Sequence, residues 1–361
     1  MMKILLAAGG TGGHIWPAIS FYNWIAENHP DSTVRIVSGS REIEREIFSH
    51  AGISPHVLPM EGSPLWGNMR IRARRWMNLI GSVFLSVKLI REWKPDICVL
   101  FGGYVSFPVI LASIFCGTPL MIHEQNARAG KVTRFAAVVG IPICSGWAYC
   151  RPLAKGKFFN VGVPVRKMEH LQPEEAWNKL AFGISLPPSP RVLVLGGSLG
   201  SDAVYEIFRG ASRSQPFCDW SILLVGARKE RMHEFPNLWV LPKVWEIGWL
   251  YSIADVVVGR AGASTLSELV VFGLPSVVIP WRGASDDHQM ENAMLFSEQG
   301  HGSIWENSNG ILQNLGFMID YEQKRAKLGQ SIISLRRSKN DACDKLWLFV
   351  QKTSKGEGAI E

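Results

Sequence analysis

Two α/β domains, each a doubly wound, Rossmann-like parallel sheet and both facing a central cleft, are what the sequence predicts, and three observations carry that prediction. A glycine-rich turn follows an apolar run twice: Ile4-Leu5-Leu6-Ala7-Ala8 enters Gly9-Gly10-Thr11-Gly12-Gly13-His14, and Val192-Leu193-Val194-Leu195 enters Gly196-Gly197-Ser198-Leu199-Gly200-Ser201. Strand-like and helix-like runs alternate along the chain, the pattern of parallel sheets with helices on both faces. With 361 residues, 47% apolar and 19% charged, the chain is long enough for two cores.

Taken in order, Lys3 to Ala8, Val34 to Ser38, Ile97 to Phe101 and Leu120 to His123 read as strands of the first sheet. Val192 to Leu195, Ser221 to Val225, Leu238 to Leu241, Val256 to Gly259 and Ser276 to Pro280 read as strands of the second. A buried strand running into glycines lets the backbone turn at positive φ and approach a ligand, while the next helix aims free N–H groups at an anion. Ile97 to Cys116 is uncharged over about twenty residues, a length that can span a bilayer. Gly102-Gly103 and Pro108 interrupt it, so a buried strand, a glycine loop and a helix from Pro108 explain the same residues. Val161 to Arg166 is a candidate hinge and Pro187-Pro188-Ser189-Pro190 leads into the second sheet. A basic segment past Ser331 and then Cys343 to Val350 read as terminal helix.

Met69 to Lys94 mixes Arg70, Arg72, Arg74, Arg75, Lys88, Arg91 and Lys94 with apolar residues. At helical spacing Trp76, Leu79, Ile80, Val83, Val87 and Ile90 form one stripe that should face the sheet, and Met77, Leu85 and Leu89 widen it. The surplus apolar surface with a basic margin suits a peripheral membrane face, with Trp76, Leu79, Leu85, Arg72 and Arg75 as its candidates. A wide core-facing helix with a solvated basic side is the alternative.

The net charge of +7 and a pI near 9.1 favour an anionic partner, whether phosphorylated small molecule, nucleic acid or acidic membrane. Six cysteines without a CxxC pair or zinc-spaced histidines read as reduced, mostly buried thiols. The short apolar run before the first glycines falls below what a signal peptide needs, so no export is expected.

Neither glycine turn fits the familiar nucleotide fingerprints. Ile15 stands where a dinucleotide-binding turn has its third glycine, the second strand ends in Ser38-Gly39-Ser40 without a ribose-binding acid, and no Lys-Ser or Lys-Thr follows either turn. In the second half, Arg260-Ala261-Gly262-Ala263-Ser264-Thr265-Leu266-Ser267-Glu268 reads as strand end, turn and helix start. That helix start can receive a diphosphate, and a first-turn carboxylate, Glu268, can accept both hydroxyls of a ribose. A capping box, Thr265 with Glu268, explains the same spacing. Gly102-Gly103-Tyr104-Val105-Ser106 and His123-Glu124-Gln125-Asn126 lie just past strand ends, where parallel sheets bind ligands. His14, beside the first turn, is a candidate general base. Asp286-Asp287-His288-Gln289 with Asn292 could suggest a metal, but no Asp-x-Asp or second histidine supports it, so hydroxyl recognition by Gln289 and Asn292 is expected, with no essential metal.

In order along nearly the whole chain, GGTGGHIWPA (from Gly9), GGYVSFP (from Gly102), HEQN (from His123), VPVR (from Val163), GGSLGS (from Gly196), RAGASTLSE (from Arg260) and DHQMENA (from Asp287) resemble the MurG-type N-acetylglucosaminyltransferases of peptidoglycan synthesis. The resemblance implies the GT-B fold. Residues 1–162, joined by a C-terminal helix at about 337–353, would bind acceptor and membrane, and residues 163–336 would bind the donor. It implies inverting, metal-independent transfer of N-acetylglucosamine from UDP-N-acetylglucosamine to undecaprenyl-diphospho-N-acetylmuramoyl-pentapeptide. That converts lipid I to lipid II with a β1,4 link, at the cytoplasmic side of the inner membrane, without a cofactor and without nucleic acid.

By that resemblance Glu268 holds the uridine ribose, Ser198 and Arg166 the diphosphate, and the backbone near Val244 the uracil. Gln289, Asn292 and Asn126 contact the sugar, and Ala263, Thr11, Gly12 and Gly13 belong to the donor set. The turn from Thr11 to His14 also meets the acceptor diphosphate, with Gly10, Gly103, Tyr104 and Ser106 around it. His14 is the first choice of base and Glu124 the second. Val163, Leu199 and Ser201 depart from the family's usual Asn, Gln and Ala. The competing functions are a transferase making another glycolipid, a nicotinamide-dependent oxidoreductase, and a non-catalytic membrane adaptor.

Overall fold

The structure, a computed structural model, describes the chain except residues 64–67, 197–201, 214–216, 227–234, 282–286, 306–340 and 357–361. It divides into two compact units, Met1–Arg166 with Asn340–Glu361, and Lys167–Lys339.

The first unit runs β1 (Lys3–Ala7), α1 (Gly12–Asn28), β2 (Thr33–Ser38), α2 (Glu42–His50), β3 (His56–Val57), α3 (Met69–Trp93), β4 (Ile97–Leu100), α4 (Ser106–Cys116), β5 (Leu120–Glu124), α5 (Lys131–Val138), β6 (Ile143–Ser145) and β7 (Phe159–Asn160). The second runs α6 (Pro173–Leu180), β8 (Arg191–Leu195), α7 (Asp202–Ala211), β9 (Ser221–Val225), β10 (Leu238–Leu241), α8 (Ile247–Ile253), β11 (Val256–Arg260), α9 (Ala263–Phe272), β12 (Ser276–Ile279), α10 (His288–Glu298) and β13 (Ser303–Ile304). The closing helix α11 (Ala342–Ser354) rejoins the first unit, where Leu346, Trp347 and Val350 are buried.

Both sheets are parallel and doubly wound. The first has the order β3-β2-β1-β4-β5-β6-β7 and the second β10-β9-β8-β11-β12-β13. Their central strands are apolar on both faces, as β1 (Ile4 to Ala7) and β11 (Val256 to Val258) show with no exposed surface. In each sheet the order reverses between the first strand and its fourth in sequence, which opens a crevice at the strands' carboxyl ends. Ala7 pairs with Leu100, so the turns after β1 and β4 are neighbours; Gly259 pairs with Leu195, so the turns after β8 and β11 are neighbours.

The uncharged stretch from Ile97 resolves into β4, a glycine loop and α4, and no described helix is long and apolar enough to cross a membrane. Helix α3 corrects the expected stripe. Its buried face is Leu79, Ser82, Ser86 and Ile90, while Trp76, Ile80 and Leu85 are exposed. Small residues set that face: Ser82 and Ser86 are buried in α3, Ala112 and Ser113 in α4, which packs against it, and small side chains let helix axes approach. Leu79, expected on a membrane face, is 5% exposed and belongs to the core.

Candidate functional site

The first glycine turn is held by a carboxylate from the next helix. Glu44, with no exposed surface, sits three residues past the N-cap of α2 and accepts the N–H of Arg41 at 2.8 Å through Oε2. Its Oε1 accepts the Gly10 N–H and, at 2.8 Å, the Tyr104 hydroxyl. The turn can pack this closely only because it lacks side chains: a Cβ on Gly9 would lie 2.4 Å from Val105 Cγ2, and one on Gly103, at φ 72°, 2.5 Å from Gly9 O. Burial and the neighbouring Glu44 charge push the Tyr104 phenol well above its ordinary pKa, so it stays a donor.

Three groups expected around the acceptor diphosphate have partners within the chain. The Gly10 N–H and the Tyr104 hydroxyl are engaged by Glu44 and not presented to a phosphate. Ser106, with no exposed surface, donates its hydroxyl to Gly102 O at 2.7 Å. Thr11 is the N-cap of α1, and Gly12 and Gly13 are its first residues, so their backbone lies at a helix N-terminus suited to an anion. Arg166 places its guanidinium 4.1 Å from the centre of the Trp16 ring, beside the same helix start.

His14 follows in the first turn of α1, half-buried, with its ring against the β4 loop: a Cβ on Gly102 would come within 3.3 Å of His14 Cε1. Its Nδ1 lies 2.8 Å from Gln125 Oε1. Gln125 is fully enclosed, its Nε2 donating to the His123 carbonyl at 2.9 Å and facing His123 Nδ1 at 3.0 Å. The opposite nitrogen of His123, Nε2, donates to Gly162 O at 2.8 Å. Burial lowers the His123 pKa to about 4, so its imidazole is neutral near pH 7.

Glu124, the second choice of base, has both carboxylate oxygens engaged within the chain. It is 2% exposed, and Oε1 accepts the Asn126 N–H and amide, each at 3.0 Å. Its Oε2 accepts Gly130 N–H at 3.0 Å and the Thr133 hydroxyl at 2.6 Å. These bonds fix the loop into α5. Asn126 is thereby held by Glu124 at its amide.

In the second unit the helix start after β11 is uncapped. Gly262 is the N-cap of α9, no side chain caps it, and no acid lies in its first turn, so the Thr265–Glu268 capping box does not form. Helix α9 starts at Ala263, which puts Glu268 in the second turn, and the expected first-turn placement is corrected. Glu268 is 4% exposed and its Oε2 accepts the Tyr251 hydroxyl at 3.0 Å, a partner the sequence did not suggest. Asn292 is also enclosed, and its Nδ2 donates to Ala261 O at 3.0 Å, bracing the turn after β11. Gln289 Oε1 accepts Trp281 N–H at 2.9 Å, and Val244 is half-buried in the loop from β10 to α8. Arg260, at the end of β11, points a guanidinium nitrogen at Ile279 O, 3.4 Å away, and burial lowers its pKa. Ser198 lies outside the described residues, as do Leu199 and Ser201. Among the described residues no group of three or more His, Cys, Asp or Glu could hold a metal ion.

Glu44 is the group that sequence reading passed over, and Gln125, read there only as one of the polar residues after β5, is joined to His14 by the fold. An acid at the third position of the helix after β2 was a visible cue, but its reach to Gly10 needs β1 and β2 to be neighbours.

Residues 4–139 match the glycosyltransferase family 28 N-terminal domain and residues 191–316 its C-terminal domain. The chain is 32% identical to the UDP-N-acetylglucosamine–N-acetylmuramyl-(pentapeptide) pyrophosphoryl-undecaprenol N-acetylglucosamine transferase of Parabacteroides distasonis, over 81% of this chain and 82% of that protein. It is 35% identical to the protein of the same name from Pseudomonas putida, over 82% of each. In fold it is similar to Acinetobacter baumannii MurG, with a TM-score of 0.69 at 22% identity, covering 98% of this chain and all (100%) of that one. A Neisseria meningitidis UDP-GlcNAc 2-epimerase solved with UDP-GlcNAc shares the fold at a TM-score of 0.61 and 13% identity, over 97% of this chain and 100% of that one.

Proposed function

The chain belongs to glycosyltransferase family 28, among the MurG-type transferases, and on that premise we propose that it moves N-acetylglucosamine from UDP-N-acetylglucosamine to the lipid-linked N-acetylmuramoyl-pentapeptide of peptidoglycan synthesis. The protein is a UDP-N-acetylglucosamine-dependent hexosyltransferase. The observation that carries this conclusion is likeness to same-named transferases over about four-fifths of both chains.

In the reaction the acceptor C4 hydroxyl attacks the anomeric carbon, the new C–O bond forms as the bond to the diphosphate breaks, and the hydroxyl proton passes to a base. His14 is that base in this reading. What supports it is a half-buried imidazole at the strand-order reversal of the first sheet, with one nitrogen fixed by Gln125. The departing diphosphate would lie on the uncapped start of α9, near Arg260. Glu268, with Tyr251 on one oxygen, is the ribose ligand in this reading. Neither metal nor cofactor is required.

The membrane face is proposed on α3 and its neighbour α4. Trp76, Met77, Ile80, Phe84 and Leu85 of α3 and Ile114 and Phe115 of α4 are exposed apolar residues, rimmed by Arg72 and, half-buried, Arg75. Such a surface binds shallowly to anionic lipid, consistent with a peripheral enzyme at the cytoplasmic face. A radiolabelled sugar-transfer assay with the lipid-linked muramoyl-pentapeptide, with and without EDTA, tests donor, acceptor and metal independence together. No transfer refutes the assignment, and loss of transfer in EDTA refutes metal independence.

A further inference from the structure

Two backbone carbonyls determine where every proton sits between α1 and the end of the first sheet. A carbonyl oxygen only accepts, so the Gln125 group facing His123 O at 2.9 Å is its NH2 and the oxygen faces His14. Gln125 Oε1 also only accepts, so His14 Nδ1 must carry a proton. At the far end Gly162 O, 2.8 Å from His123 Nε2, places the His123 proton there and leaves its Nδ1 as the acceptor for Gln125. The network closes with every donor facing an acceptor, and in the neutral form of the ring the lone pair falls on His14 Nε2. Among the described residues that nitrogen has no partner in the chain.

From this we infer that Gln125 is a positioning residue for the transfer reaction, holding His14 in the Nδ1–H tautomer so that Nε2 can take the acceptor's proton. The inference rests on the assignment of His14 as base. Gln125 is suited to the task because its own conformation is fixed from three sides: its amide by His123, its backbone carbonyl by Trp147 Nε1 at 2.9 Å, and its side chain by enclosure at 1% exposure. The His14 ring has little freedom to turn, being flanked by the glycine turn after β4. Neutral imidazole in water prefers the opposite tautomer, with the proton on Nε2, which cannot act as a base at that atom. Glutamine, unlike glutamate, fixes the tautomer without adding a charge that would hold the imidazole protonated.

The test combines long-range 1H–15N correlation spectra of 15N-histidine-labelled protein with kinetics of two variants. In the wild-type chain the spectrum should show His14 protonated at Nδ1 and bare at Nε2. Gln125→Met, close in size and without either polar atom, should lower kcat by roughly 10- to 100-fold, with the donor KM within about twofold and the His14 signals shifted toward the Nε2–H tautomer. Gln125→Glu keeps an acceptor for Nδ1–H but adds a negative charge, so it should retain more kcat than Gln125→Met only at high pH, with the acid limb of the kcat profile moved to higher pH. A wild-type Nε2–H tautomer, or a Gln125→Met enzyme with unchanged kcat and pH profile, overturns the inference. Should Gln125→Met fail to fold, the wild-type spectrum and the Gln125→Glu profile decide, and an unshifted profile there counts against it. A wild-type chain that transfers no sugar refutes the assigned reaction instead, a result the spectrum does not depend on.

Discussion

The turn after β1 and the turn after β11 begin from the same pattern, an apolar strand running into small residues and a helix, yet the chain completes them differently. At the first, the protein supplies its own anion: Glu44 accepts the Gly10 N–H and the Tyr104 hydroxyl, and Arg41 donates a guanidinium N–H to Gly10 O at 3.0 Å. At the second, no side chain caps α9 and no acid stands in its first turn, while Arg260 supplies positive charge at the strand end. A glycine-rich turn is therefore only a close approach of backbone. Whether one of its N–H groups can receive a phosphate depends on what already holds it, and in the first turn the Gly10 N–H is held by Glu44.

The contrast can be broken most sharply at the chemistry. His14→Ala should lower kcat by about 10²- to 10⁴-fold with little change in donor affinity, measured by steady-state transfer and titration calorimetry; a kcat near wild type removes His14 as base. Next in size is Glu44→Ala, which leaves the Gly10 and Arg41 N–H groups without their acceptor and the Tyr104 hydroxyl with only Met60 O, 3.4 Å away. It should cost on the order of 3 kcal/mol in urea unfolding, and unchanged stability would show that the first turn does not depend on its internal anion.

A pH titration comes third. The His123 pKa is about 6.5 unfolded and lowered to about 4 by burial, so between those values the unfolded chain binds the extra proton. This contribution is fully present above the unfolded pKa and is lost as pH falls from about 6.5 to about 4, up to roughly 3 kcal/mol. A His123→Gln variant should lose that slope; if it keeps the wild-type pH dependence, the histidine is not its source. In the second unit Glu268→Gln should weaken donor binding by about 1 to 2 kcal/mol while leaving unfolding nearly unchanged, because an amide oxygen can still accept from Tyr251. An unaltered donor Kd would leave Glu268 a purely structural ligand of Tyr251. The smallest effect concerns α3: replacing exposed Trp76 and Leu85 with serine should reduce sedimentation with anionic liposomes and spare donor binding. Equal sedimentation of variant and wild type argues for another membrane face.

The sheets were legible because buried parallel strands are uninterrupted apolar runs, as at Val256 to Val258. The strands not anticipated, His56–Val57, Ile143–Ser145, Phe159–Asn160 and Ser303–Ile304, are two or three residues long and too short to show a period. The motifs placed their residues at the strands' carboxyl ends but did not reveal the bonds among them. Ser106, Glu124 and Asn292 look like ligand-binding groups in sequence, yet each has its polar atoms turned to nearby backbone or side chains, a distinction made by chain geometry alone. On α3 apolar counting favoured Trp76 and Ile80 for the core, whereas the helix turns Ser82 and Ser86 inward, because a close helix contact rewards small volume over hydrophobicity.

The return of α11 to the first unit has a consequence for how the protein is made. Leu346, Trp347 and Val350 seal apolar surface of the unit whose other residues are synthesised first, but they leave the ribosome only after the whole of Lys167–Lys339. At about 5–20 residues per second that interval is on the order of ten to thirty seconds, during which a nascent amino-terminal half carries an uncovered greasy seam. Chaperone demand should peak in that window, and a ribosome stalled before Ala342 should leave a product prone to aggregation.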